Sequence, residues 1–505
     1  MKSKIAKLNE LAEKVSNFHN QEKSIVHCHG VFDLLHIGHI KYFQEAKSMG
    51  DMLVVTITPD RFVNKGPGRP AFNEKHRMEA IAALDVVDYV AINEWTTAIE
   101  TIKLLKPDLY VKGPDYKDHK QDVTGNIKLE EDAVKSVGGK IAFTSDITFS
   151  SSFLINQRIS QLTDEQKKFL DKLKERYNFK KITEYIDSLK KLKVLLVGEV
   201  IIDEYVFCNT IGKSGKEPVL VNQKINTERY AGGILAVANQ VSDFYKEAKI
   251  LSYLGDRDNQ NQFIKENLSS NIDIDCVYKS NSPTILKTRF IDNYTKTKTL
   301  GVYDVNDNLL NKYEEADFCS KLDECINQYD VVNVVDYGHG LITPKIVKLL
   351  EEKSNFLSVN TQLNSFNIGY HTISKYKKVN YVCVHEGELR HDYRNRSDTV
   401  EHLVKSLSNR IRSNAIVITQ GTKGSLAFDN SEFTNCPAYA TRVVDRVGAG
   451  DTLLAITSLC FAAGIPTDLT LFIGNLAAAE TVASIGVGTK LSKINFLKSI
   501  ESLLK

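Results

Sequence analysis

Two clusters of residues in this chain have the types and spacing needed to handle phosphate. The first is Val31-Phe32-Asp33-Leu34-Leu35-His36-Ile37-Gly38-His39, an apolar strand running into His-x-Gly-His at the mouth of a helix. His36 and His39 project from one side of that helix start, where free N–H groups and the helix dipole already favour an anion. Imidazoles donating to phosphate oxygens would stabilise the charge that builds on a pentavalent α-phosphorus. Gly30 allows close backbone approach at the carboxyl edge of a sheet, where open α/β folds bind ligands. A His-x-x-His pair taken alone is more often an accident of surface or core. After Gly-Val-Phe-Asp on an apolar strand, that reading weakens.

The second cluster is Asp445-Arg446-Val447-Gly448-Ala449-Gly450-Asp451-Thr452, a glycine turn entering another helix and carrying one acid at its end. Gly448, Ala449 and Gly450 expose backbone N–H groups that can hold a migrating phosphoryl. Asp451 at the helix start can accept the proton of an attacking hydroxyl, as a general base must. This arrangement suits transfer of a γ-phosphate to an alcohol, whereas the first suits attack on an α-phosphate. Two chemistries on one chain suggest consecutive steps of one pathway.

The elements that must position these groups follow from the apolar pattern. Residues 1–20 read as a short amphipathic helix. Strands at Ile25–His29, Met52–Ile57, Tyr89–Ile92, Leu109–Val111 and Lys140–Phe143 alternate with helical stretches. That alternation predicts a parallel sheet with helices on both faces. The charged stretch Gln161–Lys193 has apolar residues only at helical spacing and no glycine or proline, so it reads as a helical linker. A second alternating series begins at Val194 and continues through Lys249–Tyr253, Val331–Val335, Phe356–Val359, Tyr381–Val384, Ala415–Thr419 and Ser425–Phe428. Stretches 204–230 and 283–305 alternate polar residues with β-formers and read as an antiparallel flap over one end of the second sheet. The expected fold is α/β with two domains, 1–160 and 194–505, joined by 161–193.

Bulk properties narrow the function. A chain of 505 residues exceeds one ordinary core. Hydrophobic residues at 42% and charged ones at 25% suit a soluble globular protein. A net charge of +2 gives no argument for nucleic acid as a partner. No apolar run approaches the ~20 residues of a membrane span, and the N-terminus lacks the apolar core of a secretory signal. The eight scattered cysteines, with no Cys-x-x-Cys pair, fit reduced thiols in a cytoplasm. His27 and His29 face one side of a strand, but no third ligand has suitable spacing, so they read as buried or pocket-lining rather than metal-binding.

His36-Ile37-Gly38-His39 resembles the signature of the cytidylyltransferase-like nucleotidyltransferases. The resemblance continues through Lys65-Gly66-x-Gly68-Arg69-Pro70, Lys75-His76-Arg77-Met78, Lys112-Gly113-Pro114-Asp115-Tyr116 and Phe149-Ser150-Ser151-Ser152. Lys65 and Arg77 could neutralise triphosphate charge, and the serines could bond phosphate oxygens at a helix start. For the serine run alone, an ordinary N-cap is the simpler reading. The resemblance also implies nucleotide contacts for Gly30 and Phe32 and a substrate contact for Asp115.

The glycine octet resembles the signature of the ribokinase-like sugar kinases, whose base is the Asp at the position of Asp451. Supporting segments are Gly198-Glu199-x-x-x-Asp203, Gly232-Gly233, Pro283-Thr284-x-x-Lys287-x-Arg289, Asp336-Tyr337-Gly338-His339-Gly340, Thr419-x-Gly421-x-x-Gly424 and Asn475. The resemblance implies substrate contacts from Asp203, Gly232, Gly233, Lys287 and Arg289. It implies adenine-nucleotide contacts from Thr419, Gly421, Gly424, Gly448, Ala449, Gly450 and Asn475. Departures are Ala236 for the family's Asn, Asn360-Thr361 for an Asp-Pro-like pair, His339 for Lys, and His385-x-x-Glu388 for Asn-x-x-Glu. Glu388 would reach magnesium through water.

Together the halves resemble the bifunctional heptose-phosphate kinase/adenylyltransferases of lipopolysaccharide precursor synthesis, with the domain order reversed. That resemblance implies ATP for the kinase, ATP or CTP for the nucleotidyl step, and Mg2+ for both. The implied product is an NDP-sugar, made by phosphorylation at the anomeric position and then nucleotidyl transfer. A CTP-dependent cytidylyltransferase fused to a polyol kinase is the alternative, and a degraded nucleotide-binding scaffold is a third. The flap resembles the lid that pairs subunits in the kinase family, which implies a homodimer.

Overall fold

The computed structural model describes residues 4–63, 69–114, 126–145, 162–258, 260–441, 443–444, 448–483 and 490–504. The chain divides into two compact units, one of Met1–Thr163 with Lys493–Lys505, the other of Asp164–Ser492.

The first unit holds β1 (Ile25–Gly30), β2 (Met52–Ile57), β3 (Tyr89–Ile92), β4 (Leu109–Lys112) and β5 (Lys140–Phe143). They form one sheet in the order β3-β2-β1-β4-β5, with every pairing parallel. Successive residues of β1 serve opposite faces, as strand geometry requires. Val26 and Cys28 join a core cluster with Phe43, Ile81 and Ala82 from the helices Ile37–Lys47 and Glu74–Ala82. Ile25 packs instead with Leu8, Leu11, Val15 and Leu105 from Leu8–His19 and Ile99–Leu105. Helices therefore cover both faces. The winding direction reverses between β1 and β4, which opens a crevice at the strands' carboxyl ends. The turn after β1 carries His36 and His39 to that edge.

The second unit continues with β6 (Lys193–Gly198), β7 (Val200–Lys213), β8 (Leu220–Gly233), β9 (Glu247–Gly255), β10 (Ile272–Lys279), β11 (Ile285–Asp292) and β12 (Lys298–Asp304). It ends with β13 (Val331–Asp336), β14 (Leu357–Thr361), β15 (Tyr381–His385), β16 (Ala415–Thr419), β17 (Ser425–Asp429) and β18 (Glu432–Cys436). Nine strands form the main sheet in the order β10-β9-β6-β13-β14-β15-β16-β17-β18, parallel as far as β16 and antiparallel beyond it. The lid is a separate sheet, β12-β11-β7-β8. It is mixed rather than antiparallel throughout, because its two hairpins join through a parallel pairing of β7 with β11. The chain passes almost directly from β6 into β7, so the root of the lid stands at the carboxyl edge of the main sheet.

Two further findings differ from the linear reading. Residues 161–193 hold two helices, Asp164–Arg176 and Phe179–Leu189, that belong to the second unit instead of bridging between domains. Leu170, Leu173, Ile182, Ile186 and Leu189 are buried, and Tyr177 donates from its hydroxyl to Asp468 at 3.1 Å. Conversely the helix Lys493–Leu504 groups with the first unit. All eight cysteines are free thiols. Among the described residues no helix is long and apolar enough to cross a membrane.

Candidate active sites

In the first unit the chain leaves β1 through a turn in which Phe32 (φ 48°) and Leu34 (φ 53°) are held in the left-handed region. Non-glycine residues persist there only when their surroundings fix them. Asp33, buried, accepts from the Ala71 and Phe72 amides at 2.8 and 3.1 Å. Arg77 then closes the turn. Its guanidinium donates to the Val31, Phe72 and Thr58 carbonyls at 2.5, 2.9 and 2.9 Å and to Asp60 Oδ1 at 2.6 Å. Arg77 is only 2% exposed, and these contacts use most of its N–H donors. The expectation that it neutralises triphosphate is therefore corrected: its charge is committed to holding the site's backbone.

Phe32 turns its side chain inward as well. Its ring lies in the core against Phe43 (4.9 Å between centroids) and edge-on to His39 (5.5 Å), so it props His39. The His36 and His39 rings stack at 4.0 Å. His36 caps the helix Ile37–Lys47, its Nδ1 accepting from the Gly38 amide at 3.1 Å. In the neutral ring that contact leaves Nε2–H as the donor. Beneath them His27 Nε2 and His29 Nδ1 meet Thr56 Oγ1 at 2.7 and 2.9 Å. Burial and the nearby Lys112 charge push His27 down to about 3 and His29 well below its usual value, so both are neutral. Lys65, Asp115, Ser150, Ser151 and Ser152 lie outside the described residues.

In the second unit Asp451 stands in the first turn of the helix Ala449–Ala462, after Gly448 at φ 86°. Its Oδ1 accepts from Gln362 Nε2, and its Oδ2 from the Tyr337 hydroxyl at 3.4 Å. Burial raises its pKa to about 6. The charge of Asp203 adds to the rise, while the Gln362 and Tyr337 hydrogen bonds and Lys287 oppose it. An acid titrating near 6 is ionised at neutral pH yet still basic enough to take a proton.

The lid brings its residues to the same place. Lys287 on β11 is paired in register with Asp203 on β7. Arg289 Nη1 binds Asp203 Oδ1, with its guanidinium carbon 5.8 Å from the Tyr205 ring centroid and 5.7 Å from that of Tyr303. At Gly232 a Cβ would fall 2.1 Å from Asp203 Oδ2, so only glycine lets β8 pass the acid there. Gly233 follows as the N-cap of the helix Ile234–Gln240. Burial lowers the pKa of the Lys287 amine, while Asp203 opposes the shift.

The turn after β13 is fixed from below. Glu199, fully buried, accepts from the Tyr337 and His339 amides at 3.1 and 2.9 Å. Burial and the neighbouring Asp336 push it up to about 7. His339 is buried with Nδ1 2.7 Å from Asp307 Oδ1, and burial lowers it to about 4. At the nucleotide end Thr419 closes β16, and Gly421 and Gly424 turn the chain, the Gln420 amide donating to Gly424 O at 2.8 Å.

One expectation changes here. The Asn475 amide donates to Ser425 Oγ at 2.6 Å and Leu471 O at 2.9 Å, so it braces β17 against its own helix and has no N–H left for a base. Glu388 accepts from the His385 amide at 2.7 Å and the Leu363 amide at 3.1 Å, in a capping box. Each of its oxygens accepts only one of these bonds and keeps a lone pair for a further donor. The motif reading missed Gln362 altogether. Its only sequence signal is its place just past the carboxyl end of a central strand.

With both sites described, comparison with known proteins assigns their class. Residues 191–494 match the pfkB family of carbohydrate kinases, and the chain belongs to that family. Residues 27–158 match the cytidylyltransferase-like family, so the nucleotidyltransferase segment precedes the kinase segment.

Among individual relatives, the bifunctional protein HldE of Citrifermentans bemidjiense is 37% identical over 159 residues, 31% of this chain and 31% of that protein. HldE of Aliarcobacter butzleri is 42% identical over 143 residues, 27% of this chain and 29% of that protein. HldE of Campylobacter jejuni subsp. doylei is 26% identical over 325 residues, covering 62% and 68%. Over the first two, the chain spans only about a third of the relative's length. Phosphofructokinase-2 from Escherichia coli, solved with potassium, superposes with TM-score 0.51 at 14% identity, covering 62% of this chain and 100% of that one. That likeness shows the fold of the second unit.

Proposed function

We propose that the chain phosphorylates a sugar or sugar phosphate at its anomeric hydroxyl with ATP, and then joins a nucleotidyl group to the new phosphate. The product is an NDP-sugar of the ADP-heptose kind, with pyrophosphate released. The observation that carries the reading is Asp451: a half-buried carboxylate, ionised at neutral pH, at a glycine turn and helix start, facing Asp203 and Lys287 of the lid. Such a base accepts the proton of an acceptor hydroxyl while the helix N-terminus receives the phosphoryl. In the first unit His36 and His39 supply donors for the α-phosphate, and resemblance to proteins named bifunctional supports coupling the two steps.

Among the described residues no group of three or more His, Cys, Asp or Glu side chains converges as a metal cage. The donor set fits a magnesium ion carried by the nucleotide's own phosphates, with Glu388 acting through water. Bound there, the ion would neutralise phosphate charge.

The lid leaves Ile211, Val219, Leu220, Leu300 and Val302 at least half exposed. Exposed apolar side chains of this kind suit a second copy of the chain, and a Leu220→Glu, Val302→Glu double variant should sediment as a monomer where the parent is a dimer. The activity is tested by incubating the protein with ATP or CTP and candidate sugars and identifying products by mass. An NDP-sugar formed through a sugar 1-phosphate supports the proposal; phosphorylation elsewhere on the sugar, or none, removes it.

A further inference from the structure

Asp451 is held by two neutral donors that reach it from segments already tied to each other. Gln362 follows β14, and its amide N–H donates to Asp336 O at 3.0 Å while its carbonyl accepts from Asn367 Nδ2 at 2.9 Å. The next residue, Leu363, donates its amide to Glu388 Oε1 at 3.1 Å. Tyr337 belongs to the turn after β13, and its carbonyl accepts from Asn364 Nδ2 at 2.7 Å and Asn367 Nδ2 at 3.0 Å. The backbone bearing the amide and the backbone bearing the phenol thus form one hydrogen-bonded piece without help from Asp451.

We propose that Gln362 and Tyr337 are a preassembled clamp that orients the Asp451 carboxylate and sets its basicity, with Gln362 the stronger arm. Both are positioning residues for phosphoryl transfer, and the assignment rests on reading the second unit as a kinase.

The chemistry of the two donors explains why neutral groups stand here. A buried carboxylate without partners would stay protonated, and one paired with Lys or Arg would be held too acidic to serve as a base. An amide and a phenol stabilise the anion without adding charge. Gln362 holds Oδ1 closely, whereas the Tyr337 contact to Oδ2 is long, at 3.4 Å, so Oδ2 keeps the more available lone pair. In the transfer step the acceptor oxygen bonds to the γ-phosphorus of ATP as its proton passes to Oδ2. The bond from that phosphorus to the bridging oxygen breaks, and its electron pair leaves with ADP.

Other charged or titratable groups face Asp451: Asp203 from β7, Lys287 from β11, Glu388 from the helix Glu386–Tyr393 and Cys383 from β15. They remain unchanged when Gln362 is replaced and cancel in the comparison. Gln362 is only partly buried and its own fold contacts are made by its backbone, so side-chain replacement leaves them in place.

The test uses the full chain labelled with carboxyl-13C aspartate, the Asp451 signal being assigned by its loss in Asp451→Asn. Gln362→Met keeps the side-chain length and removes the donor; its Asp451 midpoint should rise by about one pH unit. Gln362→Glu should raise it further, because two adjacent carboxylates share a proton. In the same variants kcat for sugar phosphorylation should fall about tenfold or more with KM for ATP unchanged, and the acid limb of the pH profile should follow the midpoint. An Asp451 midpoint unmoved in both variants overturns the clamp, as does a wild-type kcat and pH limb in Gln362→Met. A midpoint that moves in a protein with no phosphoryl transfer at all upholds the clamp and removes the kinase reading instead.

Discussion

At the first site the groups proposed to meet phosphate are two imidazoles stacked 4.0 Å apart on a helix start, while the formal charges beside them, Asp33 and Arg77, are turned into the protein. At the second site the proposed base, Asp451, is itself a half-buried charge, and the lid contributes Asp203, Arg289 and Lys287 around it. The first needs charge complementarity only when a nucleotide arrives, so its own ions can be used to hold a strained turn. The second must keep an acid ready to take a proton, so its ions and neutral donors are arranged to set that acid's strength. A basic residue in a nucleotide motif is thus not evidence of phosphate contact until its donors are counted.

The comparison breaks most clearly at Asp451. Asp451→Asn keeps the shape but cannot accept a proton, so sugar phosphorylation should fall by about 10²–10⁴ with ATP binding retained. Conversion of a supplied sugar 1-phosphate to the NDP-sugar should continue, as measured by pyrophosphate release. His39→Ala is the mirror experiment. Losing one charge-stabilising donor costs about 10²–10³ in rate, and the loss should fall on pyrophosphate release alone. Equal loss of both activities in either variant, in a folded protein, would mean the two chemistries share a site.

Some of this was legible in the sequence for a plain reason. Short β-branched runs such as Leu53–Ile57 and Val331–Val335 read as buried parallel strands, and the glycine turn at Gly338 after the second marks the edge where ligands bind. The identity of Asp451 as the acid at a helix start is local and needs no tertiary knowledge. What escaped was non-local. Arg77 reads as a phosphate ligand because nothing in the sequence places the Val31, Thr58 and Phe72 carbonyls around it. Gln362 lies far along the chain from Asp451 and belongs to no motif. The parallel join of the lid hairpins and the placement of Lys493–Leu504 with the first unit depend on pairing choices that periodicity does not encode.

Arg77 sharpens the comparison from the side of stability. Arg77→Met would strand three carbonyls and free Asp60, a loss of about 3 kcal/mol for the first unit by the cost of unsatisfied buried groups. Thermal unfolding followed by a probe in that unit should show an early transition, with sugar phosphorylation unaffected below it. Normal stability with a raised KM for the nucleotide would restore the phosphate role.

The smallest expected effect is the pH dependence of stability conferred by Asp451, and its sign is opposite to that of an ordinary salt-bridged acid. Its native pKa, about 6, lies above the 3.8 of the unfolded chain because burial disfavours the anion. The native state therefore binds this proton more tightly, and the associated stability is fully present below 3.8 and lost as pH rises through about 6. Glu388 and Glu199, both pushed up to about 7, act in the same direction but are common to parent and variant. Asp451→Asn abolishes the titration, so above pH 7 the variant should be the more stable by about 1 kcal/mol, the relief of charge burial being partly offset by weaker contacts to Gln362 and Tyr337. Below pH 4 that advantage should vanish. Denaturant unfolding at the two pH values reads the difference directly. A variant no more stable than the parent at pH 8 would show that Asp451 is well solvated in the folded protein, and its strength as a base would then need another source.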